Sequence, residues 1–481
     1  MDIRNYARFE YSQTQDEILN KLLTGETCLL LGFPGSGKTK MTATIADILI
    51  STYGKKVAVT GSTGAAPQHI EKQMSNHDKI VPQTVHSFFQ ITPSDLEVLE
   101  KSAKSFEDMI KWQQYRPEKS RQSLVECDIL IIDEISMLTS TFIRAMNTIA
   151  KMYRKKMDQN FGGLTLLLVG DFRQLPPVGH KRYLFLSPLW EKWIDNTFSL
   201  NFILRQDKFY ADLIMKMSHN KLTKNDKQVL ISRIVKDGKI KIMDPNFLPN
   251  ALRVFHTNSM VNLYNNAVTK LAKESGISCH AMKMKWHFPR LYTKEMKETT
   301  KRDILGKIFY SPELFIGARI ILTTNFDVKN GIVNGSTGTL EGVTECCDDM
   351  YGGDKLGLCF IVKLDSGKCI KVGSQTYEFY YINMKEKKGT VDYIPLLLSH
   401  AMTVHRLQGN TIDIPIFYWP FDTKEYNNSH FYVVCTRVTS LDLLYLVNIP
   451  KNIDVVVNPV VINFYDQLFK DRFKSKISYL K

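Results

Sequence analysis

The sequence lacks several features that would assign it to a specialised class of protein. None of its 481 residues lies in a run of the 18 or more apolar residues that a membrane-spanning helix needs, and runs such as LTLLLVG have the length of strands. The N-terminal segment MDIRNYARFEYSQ has no apolar core and mixes acidic with basic residues, unlike a secretory signal. No internal repeat or low-complexity tract is present. We therefore expect a folded protein without a membrane anchor.

Cysteine is used sparingly. The chain has eight cysteines, none of them in a CxxC pair, and Cys28 and Cys127 lie in or beside apolar runs. This usage disfavours a zinc site or a disulfide framework and is typical of a reducing compartment. We expect a soluble intracellular protein, and the sequence leaves open the nucleus, the cytoplasm and a virus-infected host cell.

Positive charge is in excess. The sequence has 63 Lys+Arg against 49 Asp+Glu, which gives a net charge of +14. A basic balance favours a polyanionic partner such as nucleic acid. Residues 282–307 are especially basic and contain interleaved aromatic residues. This segment has two open interpretations, a phosphate-binding surface and a solvated basic surface.

Short apolar runs alternate with helical patterns over the first 200 residues, which is typical of βαβ units and a parallel sheet. Further along, the pattern predicts one more strand and helix, and then, after residue 330, short strands between turns such as NGST and DSGK, the pattern of a small β-barrel. The final residues return to α/β character. We predict strands at 27–31, 57–60, 129–132, 164–169 and 251–256, a helix at 260–272, and a polar insertion at 94–122.

The segment GFPGSGKT matches the phosphate-loop pattern GxxxxGK[ST] and lies between the apolar strand TCLLL and the helical pattern MTATIADILI. In that context, backbone N–H groups at a helix N-terminus point at phosphate oxygens. Gly35 and Gly37, with Ser36 between them, allow the backbone to close on the phosphates. Lys38 neutralises phosphate charge, and the Thr39 hydroxyl can bind Mg²⁺. The sequence therefore predicts a nucleotide site.

Two acidic residues complete this site. The buried strand pattern CDILIIDEISML ends in Asp133 and Glu134. Asp133 can hold Mg²⁺ through water, and Glu134 can polarise the attacking water as a general base, which indicates a nucleotide hydrolase. Gln174 follows the next strand in GDFRQLPPV and is placed to touch the γ-phosphate or the water, although a surface loop would look similar.

These segments resemble the motifs of superfamily 1 helicases. In chain order they are GFPGSGKT, VAVTGSTGAAPQHI, TVHSFF, LIIDEISML, NFGGLTLLLVGDFRQLPPV, FILRQ, VNGSTGTL, LLLSHAMTVHRLQGNTID and FYVVCTRVTSLDLL. More narrowly, they resemble the petite-integration-frequency (PIF) family of superfamily 1B DNA helicases. Residues 138–163, which end in NFGG, resemble that family's signature. The resemblance extends over nearly the whole chain.

The resemblance implies an α/β fold with two RecA-like domains on parallel sheets, ATP in the cleft between them and single-stranded DNA across their tops. It also implies a helical insertion that carries a strand-separating wedge, and an inserted SH3-like β-barrel. The corresponding boundaries are 1–200 for the first RecA-like domain, with its insertion at about 90–122; 201–330 and 394–481 for the second; and 331–393 for the barrel.

The resemblance also assigns further nucleotide contacts. Arg205 in FILRQ and Arg437 in VVCTRV match arginines that reach the γ-phosphate, where a guanidinium stabilises the charge of phosphoryl transfer. Gln15 matches the adenine-reading glutamine, with Gln13 as the competing choice. Together with Lys38, Glu134 and Gln174, the two arginines form the predicted catalytic set, with ATP and Mg²⁺ as cofactors.

DNA contacts are implied by the same resemblance. Hydroxyl and amide side chains hold phosphates without reading sequence, and an aromatic ring can stack on a base. The implied residues, with Phe88 as the stacking ring, are Thr60, Ser62, Thr63, His86, Ser87, Phe88, Thr257, Asn258, Thr403, His405 and Arg406.

The expected function is ATP-dependent 5′→3′ DNA unwinding, with the polarity taken wholly from the resemblance. Single-stranded and forked DNA are the expected partners. We expect a monomer in solution, with assembly on DNA left open. Two alternatives remain: an RNA-directed helicase of the same superfamily, and a DNA translocase that does not separate strands. The compact chain would suit a virus, phage or bacterium, and the sequence does not choose among them.

Overall fold

The computed structural model of the chain divides into two compact units, residues 1–236 with 404–481 (the first unit) and residues 237–403 (the second unit). The residues it describes are 3–76, 79–80, 82–91, 96, 99, 122–177, 179, 182–282, 284–290, 292–305, 310–327, 330, 332–345, 349–380, 388–420 and 429–478.

The described elements are numbered in chain order. The helices are α1 (Ile3–Leu23), α2 (Lys38–Ser51), α3 (Ala65–Glu71), α4 (Val85–Phe89), α5 (Gln122–Glu126), α6 (Ser140–Tyr153), α7 (Lys208–Ser218), α8 (Lys224–Ile231), α9 (Gly238–Lys241), α10 (Asn258–Glu274), α11 (Lys294–Leu305), α12 (Val404–Leu407), α13 (Ser429–Cys435) and α14 (Pro459–Ser478). The strands are β1 (Cys28–Gly32), β2 (Val57–Gly61), β3 (Gln83–Thr84), β4 (Ile129–Asp133), β5 (Thr165–Gly170), β6 (Thr197–Leu200), β7 (Leu252–Phe255), β8 (Cys279–Ala281), β9 (Lys285–His287), β10 (Glu313–Phe315), β11 (Arg319–Leu322), β12 (Thr337–Glu345), β13 (Leu358–Leu364), β14 (Cys369–Val372), β15 (Gln375–Tyr380), β16 (Lys388–Tyr393), β17 (Leu396–Leu398), β18 (Ala401–Thr403), β19 (Ile416–Tyr418) and β20 (Leu444–Leu446).

A six-stranded parallel sheet lies in the first unit, with strand order β3-β2-β4-β5-β1-β6. Every residue of β1, β4 and β5 is buried, which explains why these strands are continuous apolar runs in the sequence. The predicted α/β class with a parallel sheet is therefore confirmed. In the same unit, β19 and β20 form a further parallel pair.

The core of the first unit joins this sheet to its helices. Ile45 and Leu49 of α2 pack in one cluster with Leu30, Ile131 and Val169 of the sheet, all at most 1% exposed. Complete burial of such a side chain contributes about 1.5–3 kcal/mol to folding. This packing holds α2, and with it the phosphate loop at its N-terminus, against the sheet.

The turn after α6 contains the NFGG segment. Gly162 has φ +59°, and a Cβ at this position would lie 2.6 Å from the Ala150 carbonyl oxygen, so only glycine fits. The preceding Phe161 is buried, and its N–H donates to Asn147 Oδ1 at 2.7 Å. The segment predicted as a family signature is thus a tightly packed turn between α6 and β5.

Arg154 ties this turn to the start of β4. Its Nε donates to the Gly162 carbonyl at 2.9 Å. Its Nη1 lies 2.7–3.1 Å from three further carbonyl oxygens, those of Leu124, Val125 and Cys127.

We expect Arg154→Met to lower the free energy of unfolding by about 2 kcal/mol, because four carbonyl groups lose their donor. Urea titration followed by circular dichroism measures this loss. Lys155→Met is the matched control, since it removes the adjacent, exposed cation. Equal losses for the two variants would contradict the assigned role of Arg154.

The second unit is rich in antiparallel strands. One sheet has the order β14-β13-β12-β11-β17, a second has the order β15-β16-β9, and β8 pairs with β10. β18 and β7 form a parallel pair. Buried residues such as Ile320, Leu340 and Phe360 form the core of the five-stranded sheet. The predicted helix at 260–272 lies within α10, and the predicted strand at 251–256 contains β7.

The domain boundaries of the sequence analysis stay predictions. Strands β12 to β16 lie within residues 331–393, and two of them pair outside that range: β12 with β11, and β16 with β9. The SH3-like barrel therefore also stays a prediction. Most of the predicted wedge insertion, about 90–122, lies outside the described residues, as do positions 283, 291, 306 and 307 of the basic segment.

Membrane insertion was not expected from the sequence. Within the described part of the chain, no helix has both the length and the apolar character that crossing a bilayer requires.

Candidate nucleotide-binding site

Three neighbouring strands of the parallel sheet end at one edge, and the candidate site begins there. These strands are β4, β5 and β1, which are neighbours in that order in the sheet. β1 continues into the phosphate loop. β4 ends at Asp133, and β5 is followed by Asp171. Because parallel strands direct their carboxyl ends to the same side, loops that are far apart in sequence meet there.

Two glycines shape the phosphate loop. Gly35 and Gly37 have φ values of +79° and +92°, in the left-handed region that glycine adopts without strain. The Gly35 carbonyl accepts a hydrogen bond from the Leu204 N–H at 2.9 Å. A Cβ on Gly35 would lie 2.7 Å from Cβ of Arg205. The loop and the segment that carries Arg205 therefore approach as closely as glycine allows.

Lys38 begins α2 and closes the loop. Its Nζ donates to the Gly32 and Phe33 carbonyls at 2.8 and 2.9 Å. Burial lowers the pKa of Lys38, and nearby carboxylates, Asp171 foremost, oppose that shift. Ser36 is fully buried, and its hydroxyl has no hydrogen-bond partner among the described residues. An ammonium group at a helix N-terminus is suited to phosphate oxygens.

Asp133 and Thr39 provide the oxygen atoms predicted to bind a metal ion. Burial, and next the adjacent Glu134 charge, raise the pKa of Asp133 to about 7. In the described part of the chain, no group of three or more His, Cys, Asp or Glu side chains forms a ready-made metal cluster. One carboxylate and one hydroxyl fit Mg²⁺, which in nucleotide sites takes its other ligands from phosphates and water.

The raised pKa of Asp133 predicts a pH-dependent requirement for Mg²⁺. Below about pH 7 the carboxyl group holds a proton that the metal must displace, so the Mg²⁺ concentration for half-maximal ATP hydrolysis should rise as pH falls. We expect an increase of about fivefold between pH 7 and pH 6. The measurement is a Mg²⁺ titration of hydrolysis at each pH, corrected for protonation of ATP itself. Asp133→Asn should remove this pH dependence, and a wild-type requirement that does not change with pH would exclude the assignment.

Glu134 is held in an unusual backbone conformation. Its φ and ψ are 55° and 47°, left-handed values that cost a non-glycine residue about 1–3 kcal/mol. The Asp133 carboxylate accepts from the Glu134 N–H at 2.8 Å, and the Ser62 hydroxyl donates to the Glu134 carbonyl at 2.7 Å. Gln408 Nε2 donates to Glu134 Oε2 at 2.9 Å. Backbone and carboxylate are therefore each fixed by a separate partner.

Gln174, Arg437 and Arg205 also lie in the first unit. Gln174 Oε1 accepts from Arg437 Nη2 at 2.6 Å, and both residues are buried. Arg437 Nε donates to the Val433 carbonyl at 3.2 Å, and Arg205 Nη1 donates to the Thr436 carbonyl at 3.1 Å. The two guanidinium groups thus both donate to carbonyl groups at the C-terminal end of α13.

The pKa values of both arginines are lowered. Burial, followed by repulsion from Arg437, lowers the pKa of Arg205 to about 10. Burial also lowers the pKa of Arg437, and Glu134, Tyr432 and Asp171 oppose that shift. An anionic ligand such as a triphosphate would relieve the repulsion between the two guanidinium groups.

Gln15 and Gln13 lie on α1. Gln13 is exposed and donates to Glu17 Oε1 at 3.0 Å. Gln15 is half-buried, and on the same helix the Tyr11 hydroxyl donates to the Gly37 carbonyl at 3.4 Å. This helix therefore contacts the phosphate loop directly, and the adenine-reading role of Gln15 stays a prediction.

The side chains predicted to contact DNA in the first unit differ in how deeply they are buried. Thr60 is fully buried and donates to the Ile131 carbonyl, so its side chain belongs to the sheet core. Ser62 supports Glu134, as described above. Phe88 is 5% exposed and packs edge-on against Phe89. The remaining side chains are half-buried or exposed: Thr63, His86, Ser87, His405 and Arg406.

Three predicted DNA contacts belong to the second unit. Thr257 caps the N-terminus of α10 by accepting from the Met260 N–H at 3.4 Å, and Asn258 follows it, exposed. Thr403 is buried at the end of β18. The DNA role of these residues, like that of the first-unit set, rests on the resemblance.

Two residues of this site were not assigned from the sequence. Gln408 lies in the quoted motif TVHRLQG, and Asp171 lies in GDFRQLPPV, but neither has a spacing that indicates its partner. A glutamine in the segment expected to bind DNA was the only sequence signal for Gln408, and its burial is known only from the structure.

Comparison with known proteins finds similarity to PIF1-like helicases. A sequence profile for PIF1-like helicases matches residues 10–244. The ATP-dependent DNA helicase PIF1 of Danio rerio is 27% identical over 471 residues, which cover 96% of this chain and 64% of that protein. The chain thus spans less than two thirds of that relative.

Solved structures resemble the whole chain. The Pif1 helicase of Candida albicans superposes with a TM-score of 0.73 at 24% identity, covering 95% of this chain and 98% of that one. The Bacteroides Pif1 helicase in complex with ADP-AlF3 and single-stranded DNA gives a TM-score of 0.66 at 21% identity, covering 95% and 96%. At these identities the likeness supports the fold.

Proposed function

We propose that the chain belongs to the PIF1-like helicase family, whose profile matches residues 10–244, and that it is an ATP-dependent DNA helicase that moves 5′→3′ along single strands. The observation that carries the proposal is the set of groups around the phosphate loop: a lysine closing the loop, a fixed glutamate, the buried Arg437 and the half-buried Arg205. This combination suits hydrolysis of a nucleoside triphosphate.

The proposed chemistry uses the side chains as they lie. Lys38 moves its Nζ contacts from loop carbonyls to phosphate oxygens, and Glu134 accepts a proton from the attacking water. Arg437 and Arg205 stabilise the charge that develops on the transferred phosphoryl group. Thr39 and Asp133 would hold Mg²⁺, which when bound neutralises charge on the phosphates.

Gln408 suggests how hydrolysis is linked to DNA. It lies just after His405 and Arg406, which are proposed to contact DNA, and its amide holds the proposed general base. We infer that a shift of this segment on DNA binding changes the hydrogen bond to Glu134. DNA binding would thereby alter the basicity and position of the carboxylate that activates water.

The test is ATP hydrolysis with no nucleic acid, with single-stranded DNA and with single-stranded RNA. Strong stimulation by DNA is the expected result. Equal or greater stimulation by RNA would move the assignment to an RNA-directed helicase, and no stimulation by either would leave an ATPase without translocation. Gln408→Ala should reduce the stimulation by DNA more than it reduces basal hydrolysis.

A second experiment tests strand separation and polarity. Displacement is measured on a duplex with a 5′ single-stranded tail and on one with a 3′ tail. Unwinding of only the 5′-tailed duplex supports the proposal. DNA-stimulated hydrolysis without displacement would favour the translocase alternative. The monomeric state in solution and the intracellular location stay predictions.

A further inference from the structure

A buried ion pair lies behind the phosphate loop. Asp171 and Arg173 are 0% and 1% exposed, and their carboxylate and guanidinium groups are 3.2 Å apart. Burying two charges is costly unless further hydrogen bonds and packing compensate. Both residues follow β5 within the GDFRQLPPV segment, and neither is assigned a contact with nucleotide.

The C-terminal helix α14 supplies the compensation. Its Tyr465 donates from its hydroxyl to Asp171 Oδ1 at 3.0 Å and accepts from the Phe172 N–H at 3.2 Å. Tyr432 of α13 donates to the other oxygen of Asp171 at 3.4 Å. Burial raises the pKa of Tyr465 well above its usual value, so the hydroxyl stays a donor.

Arg173 is stacked between two aromatic rings. Its guanidinium carbon lies 3.7 Å from the centre of the Tyr465 ring and 4.4 Å from the centre of the Phe33 ring. Cation–π contacts of this kind are strengthened when the groups are desolvated. Phe33 is part of the phosphate loop, and its carbonyl accepts from Lys38 Nζ.

A continuous path of contacts therefore joins the C-terminal helix to the loop. It runs from the Tyr465 ring through the Arg173 guanidinium to Phe33, and from Phe33 to Lys38. The same turn also orients Gln174, whose N–H donates to the Asp171 carbonyl at 3.1 Å and whose side chain holds Arg437.

We propose that Tyr465 is a positioning residue for the nucleotide site: it holds Arg173 against Phe33 and so sets the conformation of the phosphate loop around Lys38. This inference rests on the proposed nucleotide-binding function. Its consequence is that a helix more than 400 residues from the phosphate loop in sequence controls nucleotide affinity.

The test compares three variants of the full chain by their affinity for a fluorescent ADP analogue, without DNA. Tyr465→Leu removes both the ring and the hydroxyl, and we expect binding to weaken about tenfold. Tyr465→Phe keeps the ring over Arg173, so it should restore most of the affinity, to within about threefold of the wild type. Arg173→Lys keeps the charge but loses the planar stack, and should weaken binding like Tyr465→Leu.

Phe464→Leu is the matched control. Phe464 is the neighbouring ring on α14 and packs on Phe172, Phe185 and Trp190. Its replacement should lower the melting temperature as Tyr465→Leu does but change ADP affinity by less than about twofold. In steady-state hydrolysis, Tyr465→Leu should raise the KM for ATP more than it lowers kcat.

Four outcomes would overturn the proposal. If Tyr465→Leu and Phe464→Leu weaken ADP binding equally at equal loss of melting temperature, Tyr465 serves stability alone. A Tyr465→Phe variant as weak as Tyr465→Leu would exclude the stacked ring as the cause. A wild-type protein that binds no ADP would overturn the proposed function together with this inference, whereas normal binding by every variant would overturn this inference only.

Discussion

Glu134→Gln is expected to lower the rate of ATP hydrolysis by about 10²–10⁴-fold, because the amide cannot accept the proton of the attacking water. The substitution is nearly isosteric, and the Gln408 amide can still donate to the remaining oxygen. The fold, the melting temperature and the affinity for nucleotide should therefore stay close to the wild type. The measurement is hydrolysis at saturating ATP and DNA, with binding of a fluorescent ATP analogue beside it.

Two further variants make this prediction specific. Lys38→Ala should also abolish hydrolysis, but by weakening nucleotide binding, since it removes the ammonium that closes the phosphate loop. Glu191→Gln, the same change at an exposed carboxylate, should leave the rate unchanged. Near-normal turnover by Glu134→Gln or Lys38→Ala would show that the site has been misassigned.

The second large effect is expected at the arginines. Arg437→Ala should lower kcat by about 10³-fold or more, the range typical of arginines that stabilise phosphoryl transfer. Arg205→Ala should act in the same direction, and the double variant should lose little beyond the worse single variant, because groups that act as a unit are strongly non-additive. Single-turnover hydrolysis, with nucleotide affinity measured separately, distinguishes lost catalysis from lost binding.

Because Arg437 is buried, its replacement could also unfold the protein, so loss of catalysis must be distinguished from loss of folding. Arg437→Lys retains a positive charge, and thermal unfolding reports whether each variant is folded. Gln174→Ala removes the partner of Arg437 without touching the guanidinium, and should give an intermediate loss of kcat. If Arg437→Ala, Arg437→Lys and Gln174→Ala all fold and bind nucleotide but keep wild-type kcat, neither Gln174 nor Arg437 takes part in hydrolysis.

The sequence predicted the elements whose signals are local. The parallel strands that carry the phosphate loop and Asp133 were expected within one or two residues of where they lie, because a strand covered on both faces must be a continuous apolar run. The phosphate loop was equally predictable, since Gly35 and Gly37 supply the left-handed conformations that it needs.

The predicted DNA contacts could not be decided from local sequence signals. Thr60 and Phe88 were expected to face DNA, yet their side chains are buried, because residue type within a motif does not specify which face of an element it occupies. Their proposed DNA contacts, and those of the more exposed residues, require measurement. The polar insertion was inferred from composition and its wedge from the resemblance, and the insertion lies mostly outside the described residues.

The sequence by itself indicated the α/β class, the nucleotide loop with its acidic partners, and the resemblance to a family, since each rests on short motifs whose own residues are close together in the chain. Only the tertiary structure decided which distant residues support that site. Gln408 meets Glu134 across 274 residues, and Tyr465 meets Asp171 across 294. Such contacts depend on how all the intervening elements pack, and no local spacing encodes the distance between two atoms that the whole fold brings together.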